Sequence, residues 1–219
     1  MKIEAAIVDM DGTLLDSLPV WDTIGEDYLR KEGIEPKEDL NQTIRDMSMQ
    51  EAAEYFQLAY HLNKSEEQII NGINQLLEDF YRDQVPLKPL AKELLQILKE
   101  NGIPLVLATA TDRVLVTAAL KRVGILDDFE KIFTCSEAGH GKDEPAIYEL
   151  AAQSLNCRAE NILVLEDALY ALKTAKKAGF RTAAVYDVHE LNWTKAKSLA
   201  DVSIKTPEDL QKLKQALSA

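Results

Sequence analysis

The stretch Ala5-Ala6-Ile7-Val8-Asp9-Met10-Asp11-Gly12-Thr13 constrains the fold more than any other part of the chain. An apolar run ends abruptly in two carboxylates two positions apart, and Gly12 and Thr13 follow at once. Apolar residues flanked by polar ones read as a fully buried strand, although periodicity alone is compatible with a buried helix segment. Open parallel sheets place their ligands at the carboxyl ends of their strands. Asp9 and Asp11 thus read as a reactive pair at the mouth of a sheet. Taken alone, an Asp-Gly turn accounts for the same residues.

Beyond Ser17 the periodicity changes from strand to helix. Ile24, Tyr28 and Leu29 share one face, with Gly33 as a stop. Met49, Ala52, Ala53, Phe56 and Tyr60 form a second stripe. Ser65 and Gln68 have the spacing of a capping box in front of Ile69, Ile73, Leu76, Leu77 and Phe80. Pro86 and Pro89 punctuate the end. Residues 16–85 therefore read as a small all-helical domain inserted after the first strand.

From Leu90 helices and strands alternate. Ile103 to Thr109, Lys131 to Thr134 and Asn161 to Leu165 read as strands, with Arg181 to Tyr186 and Asp201 to Ile204 as two more. A helix from Arg113 to Val123 is closed by Gly124. Thr206-Pro207-Glu208-Asp209 opens a last helix with a capping Thr, Pro at the first position and acids at the positive dipole end. Such alternation implies a parallel sheet covered on both faces. The expected fold class is α/β: a Rossmann-like parallel sheet core, residues 1–15 and 86–219, with the helical insertion 16–85.

With 37 acidic and 25 basic residues the formal net charge is −12, which disfavours a nucleic-acid backbone or an anionic membrane as partner. No uninterrupted apolar run approaches the roughly 18 residues of a membrane span, and no charged segment followed by a long apolar one opens the chain. The expectation is a cytoplasmic protein, monomeric or dimeric. Cys135 and Cys157 suggest no disulfide framework; they are a small buried pair or two independent thiols.

Every candidate chemical group follows a strand. Asp9 and Asp11 follow the first, Thr109 ends the second, Lys142 lies in the loop after Lys131 to Thr134, and Glu166-Asp167 follow Asn161 to Leu165. In a parallel sheet those ends converge on one edge. Singly, Thr109 is a strand end, Lys142 a solvated loop lysine, and Glu166-Asp167 an acidic pair at a helix start. Jointly they bring four carboxylates together against one lysine. Such a cluster raises its own pKa values or holds a cation. Hard oxygen donors suit Mg²⁺, which takes one or two carboxylates, waters and substrate phosphate. Lys142 and the Thr109 hydroxyl are suited to phosphate oxygens, and a carboxylate can form an aspartyl phosphate.

This ordered set resembles the haloacid dehalogenase superfamily, in the phosphatase branch whose helical cap is inserted after the first strand. Asp9-Met10-Asp11-Gly12-Thr13 matches the first motif, Thr109 the second, Lys142 the third and Glu166-Asp167 the fourth. The resemblance implies that Asp9 is the nucleophile and Asp11 the general acid/base. It further implies that Mg²⁺ is held by the Asp9 carboxylate, the Asp11 main-chain carbonyl and the Asp167 carboxylate, with Glu166 direct or one shell out. By the same resemblance Thr109 and Lys142 bind the phosphoryl oxygens. Sugar phosphomutases of the β-phosphoglucomutase type are the close rival. They usually carry a hinge histidine, where this chain has Trp21, and an arginine after Gly-x-Ser in the cap, where Asp46-Met47-Ser48 is followed by Met49. The third-motif loop also departs from the family pattern, reading Gly141-Lys142-Asp143-Glu144-Pro145-Ala146. Ala168 and Ala171 stand where a serine and a glycine are usual.

The function expected is Mg²⁺-dependent hydrolysis of a small phosphorylated metabolite, a sugar phosphate or similar. The alternatives are a sugar phosphomutase and a non-catalytic binding module. Trp21, Arg45 and Met47 are candidates for substrate selection in the cap, with Trp21 equally suited to the bundle core.

Overall fold

The computed structural model describes residues 2–44, 47 and 49–218. The chain divides into two compact units, Met1–Asp16 with Pro86–Ala219, and Ser17–Val85. The first unit starts with β1 (Ala5–Val8). The second is helical: α1 (Leu18–Lys31), α2 (Leu40–Ile44), α3 (Met49–Tyr60) and α4 (Glu66–Asp83). The first unit then resumes with α5 (Ala91–Glu100), β2 (Leu105–Thr109), α6 (Arg113–Val123), β3 (Lys131–Thr134), α7 (Cys135–Ala138) and α8 (Ala146–Leu155). It closes with β4 (Ile162–Glu166), α9 (Leu169–Lys177), β5 (Arg181–Val185), α10 (Trp193–Leu199), β6 (Val202–Ile204) and α11 (Pro207–Ser218).

The strands form one parallel sheet in the order β3-β2-β1-β4-β5-β6. The apolar run at the start is thus a central strand. In it Ala5 and Ile7 share a cluster with Val106, Ala108, Ile162 and Val164, the same-face residues of its two neighbours. α8 and α9 seal that face through Ile147, Tyr148, Ala151 and Ala175. The chain progresses from β1 through β2 to β3 on one side, then crosses to β4 on the other. The gap between β1 and β4 is therefore a topological switch point, where such sheets hold ligands.

The expected fold class is what the structure shows. Strand ends differ from the sequence reading by one or two residues, as hydrogen-bonded assignment at frayed ends allows. Two short helices, α7 and α10, occupy stretches read as loop or left unassigned. Each spans at most about two turns, too short for a repeating apolar face to show in the sequence. Gly124 closes α6 in the left-handed region at φ +75°, a position that favours a residue without Cβ.

The helical unit has its own core, in which Tyr28 and Phe56 stack at 6.1 Å and pack with Leu29, Leu40, Ile69 and Ile73. Ser65 and Gln68 form the capping box of α4 in both directions. Trp21 is excluded from this core at 48% exposure. It borders a cavity of about 500 Å³ inside the helical unit, together with Asp22, Asn41, Gln42, Met47 and Phe56. Among the described residues no helix is long and apolar enough to cross a membrane. Cys135 and Cys157 are free thiols.

Candidate active site

The site grows from the carboxyl end of β1. Asp9 lies one residue past the strand, yet its N–H still donates to the Leu165 carbonyl at 3.0 Å, so the ladder to β4 holds its backbone. The chain then turns sharply: Leu14 and Leu15 donate to the Met10 carbonyl, and Gly12 has φ +78°. That left-handed conformation is strained for residues with a Cβ, which explains a glycine directly after Asp11. Thr13 leaves the turn with its hydroxyl 3.3 Å from Asp167 Oδ1.

β4 delivers the next two acids. Glu166 is its last residue and Asp167 the one after, both buried. One ligand atom from each of Asp9, Glu166 and Asp167 falls within 4.8 Å of the others. Lys142 enters from the loop between α7 and α8. It is no solvated loop lysine: only 5% of it is exposed. Its ammonium donates to Asp9 Oδ1 and, at 2.7 Å, to Glu166 Oε1. The divergent loop around it is tied by Glu144 N–H to the Gly141 carbonyl and by the Thr174 hydroxyl to the Asp143 carbonyl. Tyr148, in the first turn of α8, donates to the same Glu166 Oε1 at 2.8 Å.

The electrostatics follow from three buried carboxylates facing one ammonium. Burial lifts Asp9 above the ordinary range; Lys142 opposes this and Asp11 adds to it. Burial and the Asp9 charge push Glu166 up to about 7. Burial, with the Asp9 and Glu166 charges behind it, raises Asp167 well above its usual value. Burial alone would lower Lys142, but the Asp9 and Glu166 charges outweigh it and push the ammonium up. Asp9 Oδ2 is buried with no hydrogen-bond partner among the described residues. An excess of buried negative charge, three converging oxygen donors and one orphaned carboxylate oxygen together suit a hard divalent cation.

Asp11 sits beside this cluster, half-exposed. Its Oδ2 receives the Thr111 hydroxyl at 2.7 Å and has the Thr109 hydroxyl at 3.4 Å. The buried Thr109 Oγ1 also accepts the Thr111 N–H at 3.1 Å. The structure thus brings Asp9, Glu166, Asp167 and Lys142 together and sets Thr109 against Asp11. Trp21 belongs to the helical unit, and Arg45 lies outside the described residues. Sequence pattern assigns no role to Thr13, Thr111 or Tyr148. Thr111 had a signal, since a hydroxyl two residues from another is the spacing of a local side-chain turn. Tyr148 had none, being one more apolar-face residue of a helix.

A doubly wound sheet with buried acids at its switch point and a buried lysine folded back over them has the makings of an active site at the place where such sheets hold ligands. A family model described as haloacid dehalogenase-like hydrolase matches residues 3–179. The chain belongs to that family. It is 28% identical over 218 residues to the phosphorylated carbohydrates phosphatase of Thermotoga maritima, covering 98% of this chain and 100% of that one. It is 29% identical over 187 residues to hexitol phosphatase A of Escherichia coli K12, covering 84% of each. A Thermotoga maritima crystal structure, provisionally described as a β-phosphoglucomutase, superposes with a TM-score of 0.85 at 28% identity, covering 97% of this chain and 99% of that one.

Proposed function

We propose that this protein hydrolyses a small phosphomonoester, a phosphorylated carbohydrate or similar, through an aspartyl phosphate on Asp9. One observation carries the reading. Asp9 has one oxygen held by Lys142 and the other buried without a partner among the described residues, close to Glu166 and Asp167. That is the disposition of a carboxylate prepared to act as nucleophile and ligand rather than to stabilise a fold.

In this reading Asp9 attacks phosphorus, and the bond to the leaving oxygen breaks. Asp11 gives that oxygen its proton, so the product departs as an alcohol. Asp11, now ionised, takes a proton from water as the water oxygen attacks the aspartyl phosphate. The acyl–oxygen to phosphorus bond breaks, inorganic phosphate forms and Asp9 is restored. Lys142 holds Asp9 in place and offers positive charge to the phosphoryl oxygens. The Thr109 hydroxyl, which faces Asp11 Oδ2, is proposed to bind a phosphoryl oxygen. Asp9, Asp167 and the Asp11 main-chain carbonyl would hold Mg²⁺, with Glu166 direct or one shell out, since Lys142 and Tyr148 occupy its Oε1 and leave its Oε2. When bound, the cation neutralises charge on the transferring group and lets the raised carboxylates ionise. The helical unit is proposed as a substrate-selecting cap, with Trp21 and Met47 at its internal cavity.

A phosphate-release screen over sugar phosphates, nucleotides and small phospho-acids, with and without chelator, tests the reading. Release from a sugar or polyol phosphate, dependent on Mg²⁺ and abolished in Asp9→Asn, is the expected result. No release across the panel with Mg²⁺ present overturns it. The likeness to the β-phosphoglucomutase-type structure supports a second reading, transfer within a sugar phosphate. Conversion of a sugar 1-phosphate to its 6-phosphate without free phosphate selects that one.

A further inference from the structure

Thr111 has no part in the reaction just described, yet it holds Asp11 through a short hydrogen bond, 2.7 Å from Oγ1 to Oδ2. Its backbone is fixed as well. Its N–H donates to Thr109 Oγ1 at 3.1 Å, closing a local turn at the end of β2. Thr109 is fully buried and paired in register with Thr134 of β3, so the turn rests on the sheet itself. A β-branched side chain on a fixed backbone has few accessible rotamers, and the hydroxyl position is set accordingly.

We propose that Thr111 is a positioning residue for Asp11, holding its carboxyl in one orientation through both halves of the reaction. The inference rests on the reading of Asp11 as general acid/base. Its physical basis is the two-way character of a hydroxyl. Thr111 donates to Asp11 when the carboxylate is ionised and accepts from it when the acid is protonated. A lysine or a backbone N–H in that place could only donate, and would hold the ionised form alone. A residue that must give a proton to the leaving alcohol and then take one from water is served by a partner indifferent to its charge. The Thr109 hydroxyl, 3.4 Å away, is too far to do this unaided.

The test separates the two half-reactions. kcat/KM reports events up to departure of the leaving group, and p-nitrophenolate leaves without a proton whereas an alkoxide does not. Thr111→Val keeps the shape and removes the hydroxyl; Thr111→Ser keeps the hydroxyl. The expected result in Thr111→Val is a fall of roughly tenfold to a hundredfold in kcat/KM for a primary alkyl phosphate. For p-nitrophenyl phosphate the change is expected to stay within about threefold, and Thr111→Ser restores the alkyl substrate. Equal losses on both substrates, no loss on either, a loss confined to KM, or a Ser variant as impaired as the Val variant overturns the positioning role. Crystal structures give a readout independent of turnover: the Asp11 carboxyl should leave its place beside Thr109 in Thr111→Val, and an unmoved carboxyl overturns the proposal. Asp9→Asn and the unaltered protein run alongside. If the unaltered protein releases no phosphate from either substrate, the hydrolase reading falls and this role with it. If it does and Asp9→Asn does not, the outcome bears on Thr111 alone.

Discussion

Lys142 and Lys88 both carry an ammonium group into the interior of the α/β unit, with side chains 4% and 13% exposed. Lys88 donates to the Gly12 carbonyl, to the Tyr186 carbonyl at 2.7 Å and to Asp187 Oδ2 at 2.6 Å, which uses its three protons. Asp187 in turn accepts the His189 N–H at 2.8 Å. That cluster has one cation, one carboxylate and its donors matched. Around Lys142 three buried carboxylates share one cation, two of its acceptors are acids, and Asp9 Oδ2 has no partner among the described residues. A balanced buried pair ties segments together. An unbalanced one leaves a demand for positive charge unmet, which fits the proposed phosphoryl-transfer role.

Removing each lysine in turn should give the largest divergence between the two clusters. On the proposed mechanism Lys142→Met takes away a donor aimed at developing charge, so kcat should fall by roughly a hundredfold to a thousandfold. Steady-state phosphate release measures it, and a loss below about tenfold means Lys142 pairs the buried acids without aiding the reaction. Lys88→Met leaves Asp187 buried without its cation, for a cost of about 3–5 kcal/mol in stability. Urea unfolding should show this, with part recovered in Lys88→Met/Asp187→Asn and a smaller effect on kcat than in Lys142→Met.

A metal titration probes the same contrast at smaller scale. Mg²⁺ at about a hundredfold excess over its Kd should stabilise the protein by about 2.7 kcal/mol, or roughly 5 °C or more in Tm for a chain of this size. Asp167→Asn should abolish the shift and Lys88→Met should retain it; a Tm that ignores Mg²⁺ removes the assignment of the acidic cluster.

The smallest effect concerns pH. Burial works to raise Asp187, but the hydrogen bonds from Lys88 and His189 outweigh it and hold its carboxyl below the usual range. The unfolded chain therefore binds the proton first as pH falls. The contribution is fully present above the ordinary carboxylate value of about 4 and is lost as pH drops through the folded value. Urea midpoints measured from about pH 6 down to about pH 3, on both sides of that ordinary value, should fall on the acid side. Asp187→Asn should flatten the slope.

Much of this was readable from local pattern. The central strand and the Asp9-Met10-Asp11-Gly12-Thr13 turn are consecutive residues, and the capping box of α4 needs only Ser65 and Gln68. The third-motif lysine is another matter. Its position in the order of motifs marked it, yet Gly141-Lys142-Asp143 has the composition of a solvated loop, and its burial is set by contacts with Asp9 and Glu166 far away in the chain. Lys88 went unmarked between Pro86 and Pro89, because its three acceptors lie 76 to 99 residues away.

By itself, the sequence determined where strands alternate with helices, that the stretch read as 16–85 carries helical and not strand periodicity, and which acids and hydroxyls would arrive at strand ends. These follow from periodicity and chain chemistry, which act over a few residues. Only the tertiary structure decided the pairings: Thr13 with Asp167 across 154 positions, Thr111 with Asp11 across 100, and Lys142 between Asp9 and Glu166. Those depend on sheet order, because placing β4 beside β1 and β2 on the other flank selects which strand ends meet. The same order left one oxygen of Asp9 without a partner among the described residues and gave Asp11 a hydroxyl to lean on.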